Sequence, residues 1–419
     1  MLGAIADDLT GATDLAIMLR RAGYRTAVVV DGDGAVVDGG EGEGGGGQLK
    51  ASDAVVMALK TRTAAPRTAV EQSLDALRRL RAWGAQRYYF KYCSTFDSTD
   101  DGNIGPVLDA LADALGARRV VVVPSLPANG RTVRDGLLRV DGQLLENSSM
   151  RHHPLTPMTR SRVADLLRPQ TARGVEEVRL ATVRAGEVDL RRALDAASEQ
   201  YVVVDAVDDD DLSTVAAAVV DDVLVSGGSG LALGMHGPHR RDDDWPAPVE
   251  GRHVVLCGSV SEKSRRQVAD AARTVPTRQV DLRKAMADPG AEVAELASWV
   301  GAAPAGKAPV VCAARTAADV AVTVDGVAIA PLVEDVLSRL ALRLVEQHDV
   351  TGLVVAGGET SGAVVHRLGA PVLHIGPELA PGVCWSAATT AAGRPVALAL
   401  KSGNFGEDDL FTQAWAALA

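Results

Sequence analysis

Short apolar runs that end in glycine, hydroxyl and carboxylate residues recur along this chain, and they most constrain its fold. The first leads into residues 4–14, Ala-Ile-Ala-Asp-Asp-Leu-Thr-Gly-Ala-Thr-Asp, and later ones lead into residues 256–261 and 355–362. A strand that ends in such a loop and then opens a helix leaves free backbone N–H groups at one edge of a sheet. Because anions bind at that edge in open α/β folds, the pattern predicts two ligands, at least one of them a phosphate compound.

The composition fits an enzyme and argues against several other classes of protein. The 419 residues, 47% of them hydrophobic, predict two domains with a full core each. Aromatic residues make up only 3% and the net charge is −11, which disfavours nucleic-acid and membrane partners. The first residues show no signal-peptide pattern, and no apolar run approaches the ~20 residues of a membrane span. We therefore expect a soluble, cytoplasmic protein whose oligomeric state, a homo-oligomer included, stays open.

Strand-like runs alternate with helical periodicity, which predicts an α/β fold of two domains, each a largely parallel sheet covered by helices. The domains are expected at residues 1–235 and 251–419. Residues 236–250, rich in Pro, Gly and charge, are the expected linker, and the active site is expected in the cleft between the domains. A surface loop is predicted at 31–48 and a hairpin at 137–145. Predicted strands are 2–6, 26–30, 54–59, 87–91, 119–123, 178–181, 201–205, 223–226, 253–257, 278–282, 309–314, 352–356, 371–374 and 395–400.

Asp7 and Asp8, followed by Thr10, stand where the first strand meets a helix. Such a turn needs an N-cap and favours acidic residues, so a structural role is one interpretation. Two adjacent carboxylates before Thr-Gly exceed what a cap needs. A carboxylate there could take a proton from a substrate hydroxyl or hold a hydrated Mg²⁺.

A second polar segment, residues 90–105, follows the fourth strand and contains Lys91, Ser94 and Thr95. It is either a surface loop or a binding loop, since sugar hydroxyls and a carboxylate need this mixture of donors and acceptors. Basic residues near other strand ends are Lys60, Arg62 and Arg131; each alone is a candidate surface charge, and Arg131 is the best candidate for a two-pronged carboxylate clamp. A metal site at His152 and His153 is disfavoured because adjacent extended residues point to opposite sides, and the metal ligands stay unknown.

Three loops in the C-terminal half, 258–261, 357–360 and 401–406, each follow a predicted strand. In a parallel sheet all three would meet at one carboxyl edge, which favours a nucleotide site. Other glycine-rich stretches fail known patterns: 226–230 is neither a nucleophile elbow nor a complete dinucleotide fingerprint, and 305–308 is not a P-loop.

Taken in order along the chain, these segments resemble the four-carbon acid sugar kinases from end to end. Residues 90–106 and 151–159 look most like the 3-oxo-tetronate kinases of that family. The resemblance implies a sugar-acid-binding N-terminal domain, a nucleotide-binding C-terminal domain, and ATP contacts at Ser259, 357–360 and Gly403.

We therefore expect an ATP- and Mg²⁺-dependent kinase that phosphorylates the terminal (4-) hydroxyl of a four-carbon sugar acid, 3-oxo-tetronate first. A D-threonate or D-erythronate kinase is the alternative within the family. A nicotinamide-dependent hydroxy-acid dehydrogenase and a non-catalytic sugar-acid-binding protein are alternatives from other classes. Asp8 is the expected base and Asp7 the second choice. The expected substrate-binding residues are Thr10, Lys60, Arg62, Lys91, Ser94, Thr95, Arg131, His152 and His153, and the expected ATP-binding residues are Ser259, Ser261, Gly357, Gly358, Glu359, Thr360 and Gly403.

Overall fold

The computed structural model describes residues 1–30, 49, 51–152, 156–239, 245 and 250–418. The loop predicted at 31–48 and the candidate residue His153 lie outside the described residues. The chain forms two compact units, one of residues 1–31 with 37–243 and one of residues 32–36 with 244–419. Among the described residues no helix is both long and apolar enough to cross a membrane.

The first unit is built on a sheet of parallel strands: β1 (Leu2–Ala6), β2 (Thr26–Val30), β3 (Ala54–Ala58), β4 (Arg87–Lys91), β5 (Val120–Val123), β9 (Val175–Val178), β10 (Tyr201–Val204) and β11 (Leu224–Gly227). In space these strands lie in the order β2-β3-β1-β4-β11-β5-β10-β9. Central strands such as β5, four consecutive valines with no exposed surface, are apolar throughout because helices cover both faces of a parallel sheet.

A small antiparallel sheet of β6 (Arg131–Arg134), β7 (Leu137–Val140) and β8 (Gln143–Leu144) is separate from the parallel one. Asp141 and Gly142, both with positive φ, form the turn of the predicted hairpin, which is confirmed. The helices of the first unit are α1 (Leu9–Arg21), α2 (Pro66–Ala82), α3 (Ile104–Leu115), α4 (Val163–Leu167), α5 (Leu180–Arg184), α6 (Glu187–Asp195) and α7 (Asp209–Ala218).

The second unit has a sheet of the strands β12 (Arg252–Cys257), β13 (Thr277–Gln279), β14 (Val310–Cys312), β17 (Val350–Ala356), β18 (Val372–Ala380), β19 (Val383–Thr389) and β20 (Pro395–Lys401). In space these strands lie in the order β13-β14-β12-β17-β20-β19-β18. The first five of these strands run parallel to one another, whereas β19 is antiparallel to both β20 and β18. The strands β15 (Thr323–Val324) and β16 (Val327–Ala328) form a separate pair. The helices are α8 (Glu262–Ala271), α9 (Leu282–Ala287), α10 (Pro289–Gly301), α11 (Ile329–Gln347), α12 (Gly358–Leu368) and α13 (Leu410–Gln413).

Each of these strand orders contains a point at which the chain crosses from one side of its first strand to the other. In the first unit this point lies between β1 and β4, because β2 and β3 are on one side of β1 and the later strands are on the other. In the second unit it lies between β12 and β17. The loops that leave neighbouring strands diverge at such a point and open a crevice at the carboxyl edge, which is where open α/β sheets bind ligands.

The predicted α/β class is confirmed, although two of the predicted strands are placed wrongly and the strand β19 was not predicted. The strand predicted at 178–181 is wrong: β9 is Val175–Val178, and helix α5 begins at Leu180. The edge position of β9 tolerates Glu177, which pairs with Arg162 and Arg179, so the strand lacks the apolar run that was sought. The strand predicted at 278–282 ends at Gln279, because Asp281 caps α9 through the Lys284 N–H.

Candidate active site

The first cluster of polar side chains lies where β1 ends and α1 begins. Asp7 and Asp8 follow the last residue of β1, and Asp8 is the N-cap of α1. Asp8 Oδ1 accepts a hydrogen bond of 2.7 Å from the Gly11 N–H. A carboxylate suits this position because it satisfies a free N–H and faces the positive end of the helix dipole. The capping role explains one oxygen of Asp8 and leaves the other for a further partner.

Arg62 joins the two carboxylates. Its Nε and Nη2 donate to Asp7 Oδ2 and Oδ1 at 2.9 and 2.8 Å, and its Nη1 lies 2.9 Å from Asp8 Oδ2. The Asp7 side chain is 8% exposed, whereas that of Asp8 is 29% exposed. Arg62 therefore engages both oxygens of Asp7 and one oxygen of Asp8, and Asp8 is the more exposed of the two carboxylates.

Asn103 holds the loop that presents Arg62. This nearly buried amide, just before α3, donates from Nδ2 to the carbonyl oxygens of Thr61 at 2.7 Å and Ala64 at 3.0 Å. The backbone N–H groups of Thr61 and Arg62 in turn donate to the Asp7 carbonyl oxygen at 2.9 and 3.2 Å. These hydrogen bonds hold the backbone of residues 61–64, and with it the position from which the Arg62 side chain extends to Asp7 and Asp8.

Strand β4 adds a second cation to the cluster. Lys91 is paired in register with Ala6, and its side chain is buried. Its Nζ donates to the Tyr92 carbonyl oxygen at 2.8 Å and lies 3.1 Å from the place that a Cβ on Gly11 would occupy. The same Cβ would stand 2.6 Å from Asp8 Oδ1, so a side chain at position 11 would displace the Asp8 carboxylate from this geometry.

The charges of the cluster change one another's protonation. Burial raises the pKa of Asp8 above its ordinary value, and the nearby Asp7 carboxylate adds to this, while Arg62 and Lys91 oppose it. Burial alone would lower the pKa of Arg62, but the Asp7 and Asp8 carboxylates hold it above its ordinary value. A carboxyl group with a raised pKa beside a permanent cation can act as a proton acceptor in general acid–base chemistry.

Residues 92–97 continue from β4 beside this cluster. Thr95 Oγ1 donates to Asp97 Oδ1 at 2.6 Å and lies 2.9 Å from Cys93 Sγ. Phe96 is fully buried with a φ of 52°, an uncommon backbone conformation for a bulky side chain. Ser94 Cβ lies 3.3 Å from the place that a Cβ on Gly228 would occupy. This packing fixes the loop that carries Ser94 and Thr95, and burial raises the pKa of the Cys93 thiol to about 11, which makes it a poor nucleophile.

Other predicted substrate-binding residues are placed differently. Arg131 lies on the small sheet and donates to the Asn129 carbonyl oxygen of its own turn. Arg151 donates to the Glu146 carbonyl oxygen at 3.1 Å, and it and His152 are exposed. Within the described residues neither Arg131 nor His152 bonds to Asp7, Asp8 or Arg62. Thr10 lies half-buried in the first turn of α1, and Lys60 is exposed.

The second cluster lies where β12, β17 and β20 end side by side. The three strands are adjacent and parallel, so the loops that follow them share one edge, as predicted. Ser261 caps α8 by accepting the Ser264 N–H at 3.2 Å, and its Oγ donates to the Gly403 carbonyl oxygen at 2.7 Å. Ser259 Oγ accepts the Ser261 N–H at 3.3 Å. The loop after β12 is thereby tied to the loop after β20.

Glycines let the loop after β17 approach the loop after β12. Gly357 has a φ of 122°, and a Cβ there would stand 3.1 Å from the Ser259 N. A Cβ on Gly258 would stand 2.1 Å from Oγ1 of the buried Thr360. At Gly358, by contrast, a Cβ would meet no described atom within 4 Å. The N-terminus of α12 therefore faces open space, with Gly358 and the exposed Glu359 at its rim.

The structure adds three residues that were not among the predicted site residues. Asn103 and Ser264 are buried, and Ser264 Oγ donates to the Gly403 carbonyl oxygen at 2.8 Å. Lys401, the last residue of β20, is buried beneath the same carbonyl group. Only Lys401 had a signal in the sequence, since a lysine at the end of an otherwise apolar strand is costly to bury without a purpose.

The described part of the chain contains no group of three or more His, Cys, Asp and Glu side chains arranged to hold a metal ion. Mg²⁺ does not require such a cage in a phosphoryl-transfer site, because it commonly binds through one or two carboxylates and the phosphates of the substrate. Asp8, the more exposed of the two carboxylates, is the residue of the first cluster that fits this use.

In comparisons with known proteins, two family models match the chain, and each matched segment contains one of the two clusters. A sugar-binding N-terminal domain matches residues 2–235, and a nucleotide-binding C-terminal domain matches residues 254–411. The chain is 42% identical to a 3-oxo-tetronate kinase of Salmonella typhimurium, over 99% of this chain and 98% of the relative. It is 39% identical to a 3-oxo-tetronate kinase of Haemophilus influenzae, over 99% of both chains.

Solved structures agree with this assignment of the fold. A Salmonella typhimurium protein, whose description names a tRNA synthase as a candidate activity, superposes with a TM-score of 0.89 at 41% identity over 99% of this chain and 98% of its own. A Haemophilus influenzae protein superposes with a TM-score of 0.85 at 36% identity over the full length of both chains. By sequence and by fold, this chain belongs to the four-carbon acid sugar kinase family.

Proposed function

We propose that this protein transfers the γ-phosphoryl group of ATP to the terminal (4-) hydroxyl of 3-oxo-tetronate, giving 3-oxo-tetronate 4-phosphate. The observation that best supports this is the presence of two different polar clusters, each at the point where its sheet reverses strand order. The charged cluster lies in the segment matched by the sugar-binding model, and the glycine-hydroxyl cluster lies in the segment matched by the nucleotide-binding model. A cytoplasmic location, where ATP is available, is part of this proposal.

Asp8 is the proposed base. Its greater exposure and raised pKa suit it to accept the proton of the substrate hydroxyl, whereas Arg62 engages both oxygens of the nearly buried Asp7. The substrate oxygen then bonds to the γ-phosphorus, the bond from that phosphorus to the β,γ-bridging oxygen breaks, and ADP leaves. Asp7 serves to hold Arg62.

Lys91 is the proposed cation for the substrate carboxylate or the transferring phosphoryl group. In the described structure its ammonium group forms no ion pair with a carboxylate, although it is buried beside α1. Arg62, in contrast, is already neutralised by Asp7 and Asp8. A buried cation that no carboxylate contacts gains more from an anionic ligand than a paired cation does, because the low local dielectric strengthens the new ion pair.

The nucleotide is proposed to bind at the glycine-hydroxyl cluster. Ser259, Ser261, Gly403 and residues 357–360 offer backbone N–H groups and hydroxyl donors, which suit phosphate oxygens. Mg²⁺ is expected to accompany ATP; it would neutralise charge on the phosphates during transfer, and phosphoryl transfer depends mainly on such positioning and neutralisation.

The choice of 3-oxo-tetronate within the family depends on the relatives' names and on residues 151–159, of which 153–155 lie outside the described residues. A donor aimed at the third carbon of the substrate would favour a carbonyl over a hydroxyl, and Arg151, His152 and His153 stay the proposed donors. In the described structure Arg151 and His152 are exposed.

ADP release measured across 3-oxo-tetronates, threonates and erythronates tests the proposed function. We expect kcat/KM for 3-oxo-tetronate to exceed that for threonate by at least about tenfold, on the order of 1.4 kcal/mol. His152→Ala should narrow that ratio. Equal use of 3-oxo-tetronate and threonate would contradict the substrate assignment but not the kinase activity. If none of the acids gave ADP release, the proposed reaction itself would be contradicted.

A further inference from the structure

The ammonium group of Lys401 is buried in the second unit without a counter-ion. The side chain is 2% exposed, and in the described part of the chain it forms no ion pair. Its Nζ reaches the Gly403 carbonyl oxygen at 3.3 Å and Ser264 Oγ at 3.4 Å, both long hydrogen bonds, and lies 5.7 Å from the centre of the Phe411 ring. An ammonium group has three donors and a large cost of desolvation, so these contacts leave its charge poorly compensated.

Lys401 is also the residue at which the three loops of the glycine-hydroxyl cluster meet. Its backbone oxygen accepts the Gly357 N–H at 2.9 Å, which ties it to the loop after β17. Its ammonium group shares the Gly403 carbonyl oxygen with Ser261 Oγ and Ser264 Oγ, which donate at 2.7 and 2.8 Å. The positive charge is therefore fixed directly behind the backbone that borders the proposed phosphate site.

We propose that Lys401 is a positioning residue of the nucleotide site, whose buried charge acts through the Gly403 loop to favour the polyphosphate of ATP. This inference rests on the proposed function, since it specifies how the same site recognises its nucleotide. The charge does not need to touch the ligand: attraction between a buried cation and a polyphosphate remains strong where water is excluded. It also explains why a lysine is retained at the end of a strand whose other interior residues are apolar.

The protonation of Lys401 provides a second line of support. Burial lowers the pKa of Lys401 to about 8, with Lys263 on α8 adding to the shift and Cys257 on β12 opposing it. Cys257 stays a neutral thiol in the neutral range, because burial raises its pKa to about 11, and Lys263 is paired with Asp408 at 2.9 Å. The charge of Lys401 is thus present below pH 8 and is lost as the pH rises, so affinity for a polyphosphate should fall in the same direction.

Calorimetric titration of ATP, ADP and AMP tests the inference on the full-length protein. Lys401→Met removes the charge and keeps the length of the side chain, and Lys307→Met, on an exposed turn of the same unit, is the matched control. We expect Lys401→Met to weaken ATP binding by at least about tenfold, ADP less and AMP little, with Lys307→Met unchanged. A loss of the same factor for all three nucleotides would indicate a structural role and overturn the inference, as would unchanged ATP affinity.

The wild-type protein gives an independent readout if Lys401→Met does not fold. Its dissociation constant for ATP should rise between pH 7 and pH 9 more steeply than that for AMP. Equal pH dependence for ATP and AMP would overturn the role of Lys401 while leaving the proposed function in place. A wild-type protein that binds no adenine nucleotide at any pH would instead overturn the proposed function, and this inference with it.

Discussion

The two polar clusters occupy equivalent places in their sheets but are built from different chemistry. At the end of β1 the groups are charged side chains, with two carboxylates and two cations within a few residues of the strand ends. At the ends of β12, β17 and β20 the groups are hydroxyls and glycine backbone around a single buried cation. The fold supplies the same kind of crevice twice, and the side chains decide what each crevice can do.

The difference assigns the steps of the proposed reaction. The first cluster, with carboxylates and cations side by side and a carboxyl group of raised pKa, suits proton transfer and the binding of a small acid. A few neighbouring side chains are enough to set the pKa of such a carboxyl group and to pair with the charge of a small ligand. Backbone N–H groups and hydroxyls suit a polyphosphate, which is large, highly charged and common to many enzymes. We therefore expect substitutions in the first cluster to affect chemistry and substitutions in the second to affect ATP binding.

The largest expected effect is on turnover when the proposed base is removed. Asp8→Asn keeps an N-cap acceptor for the Gly11 N–H but removes the proton acceptor, so kcat should fall by roughly 10²–10⁴. Steady-state ADP release measures this. Asp210→Asn, at an exposed position near the start of α7, is the control and should leave kcat unchanged. Near-normal turnover of Asp8→Asn would remove Asp8 from the mechanism.

The next effect is on stability when Arg62 is lost. Arg62→Met leaves the nearly buried Asp7 carboxylate unpaired, and we expect the free energy of unfolding in urea to fall by about 2–3 kcal/mol. Arg67→Met, which breaks the exposed pair with Glu71, should cost no more than about 0.5 kcal/mol. Adding Asp7→Asn to Arg62→Met should recover part of the loss. A cost no larger than that of Arg67→Met would show that the pair does not organise the cluster.

A smaller effect is expected on ATP affinity when the open side of α12 is filled. Gly358→Val places a side chain where no described atom lies within 4 Å, so the protein should fold normally while the KM for ATP rises at least about tenfold. Gly357→Ala is the contrasting variant: its φ of 122° strains any side chain, so that variant should lose stability in a thermal melt. Unchanged KM in a folded Gly358→Val protein would reject this location for the phosphates.

The smallest expected effect is a displacement of the acid side of the pH–rate profile. A base acts in its deprotonated form, and burial raises the pKa of Asp8 above the ordinary value of 3.8, so kcat/KM should fall with decreasing pH at a point above that value. Because Arg62 lowers the pKa of Asp8, Arg62→Met should move this point to higher pH. A displacement to lower pH would contradict the assigned charges.

The sequence predicts the strands that the site depends on because these strands are buried on both faces. Runs such as Val120–Val123 contain only apolar residues, which is typical of the middle of a parallel sheet. The antiparallel strand Val383–Thr389 has no such run, and it was missed although Pro381-Gly382 marks the turn before it. Local patterns therefore identify central strands more readily than edge or antiparallel ones.

The candidate site is predictable in its position and much less so in its contacts. That Asp8 and Gly403 stand at strand ends follows from the order of residues alone. That Arg62, 55 positions away from Asp7, binds it with two hydrogen bonds follows from the pairing of β1 with β3, which no local pattern contains. Likewise, only the fold shows that Arg131 donates to a carbonyl oxygen of its own turn, and its role as a carboxylate clamp stays a prediction.

The central claim, that the charged cluster serves the acid and its chemistry while the glycine-hydroxyl cluster binds ATP, is tested most directly by titrating ATP into two variants side by side. In isothermal calorimetry, Asp8→Asn should bind ATP within about twofold of the wild type, and Gly358→Val should bind it at least about tenfold more weakly. The opposite result, with ATP affinity lost in Asp8→Asn and kept in a folded Gly358→Val protein, would contradict the division of roles between the two units.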